Sequence, residues 1–418
     1  MTAAVLSIGT EITRGEITNT NASWLAEELT RLGLDVAEVA SVPDDRTAIQ
    51  EVLARLGGAH TLIVSTGGLG PTTDDITSEC AAALLSVPLT RDAASLEAIR
   101  VRMERFGRAV AASNAKQADF PRGADILSNP HGTAPGFSVK IGRATAFFMP
   151  GVPSEMKPMF ASYVAPSVGE SVEGGIHQIR LKTFGLPEST VNDRLAGIED
   201  AHGVTIGYRA HFPEIEVKVL ARASDAPSAE RVARLAANEV RQRLHDVVYA
   251  EGNVAFAEAV GQALRDRSLS FGAAESCTGG LVSELLTEQP GASDFFRGAI
   301  VAYDDSVKRD VLGVDPATLV QAGAVSKEVA RAMADGARRV LGTDVALAIT
   351  GIAGPGGGTA TKPVGLVHFA VSTASGTTDS QFTLPGARHQ IRVLAAYAGL
   401  TLVRRVVETS SSEGIVAP

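Results

Sequence analysis

At 418 residues, 45% hydrophobic and 20% charged, the chain is long enough for two or three globular domains and too apolar to be disordered. Its 47 acidic against 38 basic residues leave a net charge of −9, which opposes a general nucleic-acid-binding surface. Two cysteines exclude a disulfide scaffold and suit a reducing cytoplasm. The amino-terminal run M-T-A-A-V-L-S-I-G-T-E lacks the features of a signal peptide, and the uncharged run Val345–Thr361 is too broken by glycine and proline to span a membrane.

In chain order, the first block covers residues 1–168. Val5–Ile8 reads as a strand, Asn19–Leu32 as an amphipathic helix closed by Gly33, and Val36–Val42 as a second strand. Arg46–Leu56 is predicted helical, and Thr61–Ser65 is a strand running into T-G-G-L-G-P-T-T-D-D, with a helix from Ile76 to Leu85 beyond it. Strand, helix and strand in this order predict parallel βαβ units, with ligands at the carboxyl ends of the strands. The second block, residues 173–251, has a different rhythm. Ile176–Thr183, Val204–Tyr208 and Ile215–Ala223 read as strands, and Glu188–Ile198 and Ala226–Leu244 as helices, which is the pattern of a small α+β module. It carries no convincing catalytic cluster.

The third block, residues 253–418, returns to α/β alternation. The helix Phe256–Asp266 leads into an apolar strand that delivers Glu275, Ser276 and Cys277 into a turn, with Gly279 and Gly280 before the helical pattern from Leu281. Ala299–Tyr303 reads as a strand, Ser326–Val340 as a helix, and Val345–Thr350 as a strand ending in T-G-I-A-G-P-G-G-G. Gly365–Ser372 is a further strand and Arg388–Val406 a last helix, with Ser411–Pro418 a loose tail. The expected fold class is α/β at both ends of the chain with the α+β module between them.

A hydroxyl and a thiol side by side at a strand-to-helix corner can expose a nucleophile, and the N–H groups of the following helix can receive an oxyanion. A polar helix cap gives the same residues a plainer role. Serine needs a base, and a desolvated lysine can supply one. Lys308, five residues after Tyr303 and in the first turn of a helix that Asp305 or Ser306 could cap, is the candidate. If the strands are neighbours, Ser276, Tyr303, Lys308 and the loop Gly351–Gly358 share one sheet edge. That loop lacks the G-K-[ST] ending of a Walker motif, yet its N–H groups can still meet a phosphate.

A-A-E-S-C-T-G-G, Y-D-D-S-V-K and T-G-I-A-G-P-G-G-G…K-P-V-G-L-V-H-F, in this order, resemble the CinA carboxy-terminal domain, the nicotinamide mononucleotide (NMN) deamidases. The resemblance implies hydrolysis of NMN to nicotinic acid mononucleotide and ammonia without a cofactor. It implies Ser276 as nucleophile, Lys308 as general base, and Tyr303 and Thr350 at the reacting group. Gly279, Gly280, Gly351, Ala353 and Gly354 would shape the substrate cradle. Arg388 and Arg392 would meet its phosphate or carboxamide end, arginine's planar fork suiting a phosphate. Where the family usually has Ser/Asn-type residues after the tyrosine, this chain has Asp304 and Asp305, and a carboxylate facing Lys308 would favour its charged form. Cys277 is the rival nucleophile.

In the first block, glycines after a strand admit a nucleotide phosphate, and the pair Asp74 and Asp75 suits a hard divalent cation bridging to it, or else caps the following helix. S-I-G-T-E-I-T-R-G-E-I-T-N-T-N, T-G-G-L-G-P-T-T-D-D, N-P-H-G-T-A-P-G-F and M-P-G-V-P-S-E-M resemble the CinA amino-terminal domain, which shares its parallel-sheet fold with the MogA/MoaB molybdopterin-binding proteins. This implies a metal-dependent ADP-ribose pyrophosphatase. Asp75 would be the principal acidic residue and Asp74 and Asp44 its helpers, with Gly67, Gly68, Gly70 and Gly151 shaping the nucleotide pocket. The T-G-G-L-G form argues against molybdopterin adenylylation. The middle block corresponds to the KH-like domain of the family, but without a G-x-x-G loop RNA binding does not follow. The expected partners are therefore small nucleotides, NMN and ADP-ribose, and a second copy of the chain in a homodimer, with neither membrane nor nucleic acid. A first block that binds nucleotide without turnover, or a competence-linked partner protein, are the alternatives.

Overall fold

The protein is described by a computed structural model covering residues 2–105, 111–169 and 174–409, so the expected tail Ser411–Pro418 lies outside the described residues. Two compact units are present, Met1–Gln178 with Ala221–Ala233, and Ile179–Leu220 with Arg234–Pro418. The three sequence blocks survive as three separate sheets, while the middle block is shared between the two units.

The first block contains β1 (Thr2–Ile8), β2 (Asp35–Val42), β3 (Leu62–Thr66), β4 (Leu89–Arg91), β5 (Asp119–Pro121), β6 (Asp125–Leu127), β7 (Gly136–Ile141) and β8 (Ala144–Met149). Six of them form one sheet in the order β2-β1-β3-β8-β7-β6, and β4 pairs with β5 in a small ribbon. β1, β2, β3 and β8 are parallel, as the βαβ pattern predicts, whereas β7 and β6 return antiparallel and make the sheet mixed. Alternation buries both faces. Ala4, Leu6 and Ile8 pack with Ile49, Leu53 and Leu56 of the helix Arg46–Ala59, and Ala3 and Val5 with Leu25 and Leu29 of the helix Thr20–Arg31. Asn19 and Asp45 cap these two helices by accepting from the Ala22 and Ala48 N–H groups.

The second block forms the sheet β10-β11-β9-β12 from β9 (Gly175–Phe184), β10 (Val204–His211), β11 (Glu214–Ala223) and β12 (Val248–Glu251). Within the second unit it is tied to the third block. Phe256 stacks on Tyr397 with ring centres 4.5 Å apart, and Phe184 and Tyr249 pack on the same pair. The Glu214 carboxylate accepts from the Tyr249 hydroxyl at 2.7 Å and the Tyr397 hydroxyl at 2.9 Å.

The third block contains β13 (Phe271–Glu275), β14 (Phe296–Val301), β15 (Val345–Gly351), β16 (Leu366–Thr373) and β17 (Gly376–Thr383), in the order β14-β13-β15-β16-β17. β14, β13 and β15 are parallel, and β16 and β17 antiparallel. One face carries Ala273, Leu347, Ile349 and Phe369 under the helices Phe256–Arg265 and Arg388–Thr409. The other carries Ala274, Ala346, Ala348 and Ala370 under the helix Lys327–Leu341. Small residues on that face bring helix and sheet close, and a Cβ added at Gly336 would lie 2.0 Å from the Leu312 carbonyl oxygen. β14 ends at Val301, so Tyr303 stands beyond the strand it was expected to close. β17 was not expected, because its polar sequence G-T-T-D-S-Q-F-T lacks an apolar face; it is recruited by pairing with β16.

Candidate active sites

The parallel strands β13, β14 and β15 bring the third-block residues to one edge. Ser276 follows β13 directly, and its N–H donates to Ile349 O on β15 at 2.9 Å. Alternation sends Ser276 toward the face of Ala274 and Glu275 toward the opposite one. Ser276 is 8% exposed, and Cys277 is buried against apolar side chains. Burial pushes the Cys277 thiol up to about 12, partly offset by its own backbone N–H and by Arg392 and Arg388. That disfavours the thiolate through which a cysteine reacts, and so favours Ser276 over the rival nucleophile.

Glu275 carries no assigned role in the sequence, and it governs this corner. Its buried carboxylate accepts from the Gly280 N–H (3.0 Å), the Val282 N–H (3.0 Å), the Ser283 N–H (3.0 Å) and the Ser283 hydroxyl (2.8 Å). Of the donors at the amino-terminal end of the helix Leu281–Thr287, the Gly280, Val282 and Ser283 N–H groups are thus occupied from within, which narrows the expectation that this helix end receives an oxyanion. Among the described residues no carbonyl accepts from the Cys277 N–H, which lies against its own thiol, or from the Thr278 N–H, so backbone donors without a carbonyl partner also lie one turn earlier. Gly279 and Gly280, with φ of 60° and 100°, make that turn.

Lys308 is buried in the helix Asp305–Asp310. Its Nζ donates to Tyr303 O at 3.1 Å and to Asp305 Oδ1 at 3.0 Å, and no hydrogen bond joins it to Ser276 Oγ. An ammonium has three donors, and two are used. The two carboxylates of the departure thus separate. Asp305 faces the lysine, whereas Asp304 accepts from the Ser306 N–H and hydroxyl, which holds its carboxyl below the usual range.

The last helix, Arg388–Thr409, closes the edge. Arg388 donates to Gly354 O at 2.6 Å and to the exposed Tyr303 hydroxyl at 3.1 Å, and Arg392 donates to Thr278 O at 2.6 Å. Lys308, Tyr303, Arg388 and Gly354 are thereby joined in one set of contacts, and Ser276, Gly279 and Arg392 in a second around Thr278, with the two arginines one turn apart on the same helix. Gly351 is required by strand approach, since a Cβ there would lie 2.7 Å from Val367 Cγ2. Ala353 is buried behind it. Thr350 is fully buried and donates its hydroxyl to Ala324 O at 2.8 Å, which ties β15 to the neighbouring loop. Lys362, also without a role assigned from sequence, pins that loop through Ala322 O and Val325 O, both at 2.7 Å.

In the first block a cavity of about 550 Å³ opens at the carboxyl ends of β1, β2 and β3. Asp44, Gly67, Gly68, Gly70, Asp74, Asp75 and Gly151 all line it, with Glu11, Gln117 and Glu155. Asp44 is engaged by accepting from the Thr10 N–H at 2.7 Å, which latches the ends of β1 and β2 together. Asp74 and Asp75 do not cap the following helix Thr77–Leu84, which starts without a side-chain cap. The Thr72 hydroxyl instead lies between the two carboxylates, with its one proton to share, and Asp75 also accepts from the Thr72 N–H at 2.8 Å. The Thr72 hydroxyl holds the Asp74 carboxyl below its usual range, with Lys116 adding to the effect. Lys116 Nζ donates to the Thr72 and Asp75 carbonyls and so closes the turn bearing the pair; no sequence pattern announces this, because the lysine is remote along the chain. Among the described residues no three His, Cys, Asp or Glu side chains converge as a metal cage. Two adjacent carboxylates at the rim of an open cavity fit a cation shared with substrate phosphates and water.

Comparison with known families matches residues 253–407 to the CinA C-terminal domain, 4–170 to a probable molybdopterin binding domain, and 178–250 to the damage-inducible protein CinA KH domain. A CinA-like protein of Anaeromyxobacter dehalogenans is 42% identical over 415 residues, covering 97% of this chain and 99% of its own. One from Geobacter sulfurreducens is 40% identical over 413 residues, covering 98% and 100%. Among solved structures, the competence/damage inducible protein CihA of Agrobacterium tumefaciens is 39% identical, covering 38% of this chain and 92% of its own, with a TM-score of 0.33. A molybdopterin biosynthesis protein of Mycobacterium abscessus is 19% identical, covering 40% and 92%, with a TM-score of 0.29. Among the described residues no helix is long and apolar enough to cross a membrane.

Proposed function

As the chain belongs to the CinA family, we propose that its third block is an amidohydrolase that converts NMN to nicotinic acid mononucleotide and ammonia. The observation that carries this reading is the convergence of Ser276, buried Lys308, Tyr303 and two arginines on one sheet edge, beside a thiol kept protonated. Ser276 Oγ attacks the carboxamide carbon as its proton passes to the neutral amine of Lys308. The oxyanion is received by the backbone N–H groups of the turn. Lys308 returns the proton to the departing nitrogen, the C–N bond breaks, and ammonia leaves. Water then attacks the acyl-enzyme, releasing the carboxylate and restoring Ser276. Arg392 and Arg388 bind the phosphate end, and Tyr303 lines the mouth.

Ammonia release from NMN tests this assignment. Ser276→Ala and Lys308→Ala abolish it and Cys277→Ala retains most of it; loss in Cys277→Ala with retention in Ser276→Ala would overturn the Ser–Lys pair.

For the first block we propose metal-dependent hydrolysis of ADP-ribose in the cavity of about 550 Å³. Asp74 and Asp75 would hold the divalent cation, which neutralises pyrophosphate charge. Chelation by EDTA is expected to stop ADP-ribose cleavage while leaving ammonia release from NMN unchanged. Retained nucleotide binding without turnover at any metal concentration would instead identify a binding module.

A further inference from the structure

We propose that Glu275 is a positioning residue for the amidase, setting the turn in which the Cys277 and Thr278 N–H groups receive the oxyanion. This rests on the amidase reading above.

A carboxylate with no exposed surface is costly unless every lone pair is used. Here four donors fill both oxygens, two on each, all between 2.8 and 3.0 Å. All four bonds are accepted, the pattern of an ionised carboxylate, and among the described residues no cation pairs with it. An apolar side chain would fill the space against this core without such demands, so the charge has another effect.

That effect is geometric. The bonds tie the end of β13 to residues 280–283, so the chain between them closes into a fixed loop containing Ser276, Cys277 and Thr278. The Thr278 carbonyl is held from outside by Arg392, which fixes the direction of the peptide groups on either side. The Ser276 N–H is committed to β15, and the donors at Gly280, Val282 and Ser283 are committed to Glu275. Of the donors left without a carbonyl partner, the N–H groups of Cys277 and Thr278 lie nearest the nucleophile in sequence, in a turn tied at both ends. Preorganised donors of this kind act without reorganisation during the reaction.

The test is steady-state NMN hydrolysis by Glu275→Gln, which keeps the shape but points an amide N–H₂ at backbone donors. The expected result is a fall in kcat on the order of 100-fold with KM within about threefold, because the oxyanion donors shift while the phosphate contacts stay. Ser283→Ala, which removes one of the four bonds and is the variant to use if Glu275→Gln does not fold, is expected to lower kcat several-fold with the same KM. Wild-type kcat in a folded Glu275→Gln, or in Ser283→Ala where Glu275→Gln does not fold, would overturn the proposal. Should the wild type release no ammonia, it is the amidase reading that fails. The amide resonances of Cys277 and Thr278 then decide the positioning role: displacement in these variants supports it and unchanged resonances overturn it.

Discussion

Replacing Asp305 by asparagine removes the carboxylate that meets Lys308 Nζ at 3.0 Å while keeping a side chain of the same shape. That contact, with the one to Tyr303 O, holds the Nζ where no hydrogen bond joins it to Ser276 Oγ. Asp305 is largely exposed, so water screens the pair and the effect is modest. The Asp305→Asn rate of ammonia release is expected to rise about 3- to 10-fold, because the Nζ is freed toward the nucleophile. Steady-state rates of the two proteins check this, and a lower rate would show that the carboxylate positions the lysine instead. The pair Asp304 and Asp305 was visible in the sequence, but not which one faces the lysine. A helix start offers the two carboxylates opposite directions, and the cap bond to Ser306 assigns them. Glu275 was quoted within its motif and its role was invisible, because its partners are backbone N–H groups, which no side-chain pattern reveals.

Between strands and helices a tight constraint lies where β1 and β3 approach. Gly67 has φ of 103°, and a Cβ there would stand 2.0 Å from Ile8 O. Gly67→Ala is therefore expected to destabilise its unit by more than about 1 kcal/mol, since both the backbone conformation and the neighbouring carbonyl resist it. Gly58 provides the control. It lies in the helix Arg46–Ala59 with open space around it, so Gly58→Ala is expected to stabilise by about 0.5–1 kcal/mol. Thermal melts of both variants measure the contrast, and equal shifts would refute the steric account. The long apolar strands and amphipathic helices could be read from periodicity. β17 could not, because it is polar and is held by a tight hairpin to β16, and the β4–β5 ribbon could not, because it is short and pairs residues about thirty positions apart. β7 and β8 likewise form a hairpin closed at Ile141 and Ala144, which no Asn-Gly type turn announces.

Across the whole molecule the same principle recurs in unrelated sequences. Parallel strands end together, and short turns there hold chemically active side chains at one edge. This is why all seven first-block residues named from sequence line one cavity. What composition could not reveal is that Ile179–Leu220 and the segment from Arg234, most of the second block, lie in one unit with the third. Glu214 and the rings of Phe184 and Tyr249 make the sequence boundary near residue 252 a seam of buried aromatic surface. For anyone dividing this chain for crystallisation or biosensor use, that seam dictates the cut. A fragment starting at Asn253 bares the faces of Phe256 and Tyr397 and is expected to self-associate as its concentration rises, whereas one starting at Gly175 keeps them covered and stays dispersed. Light scattering across a dilution series distinguishes the two, and equal behaviour would show that the seam is dispensable.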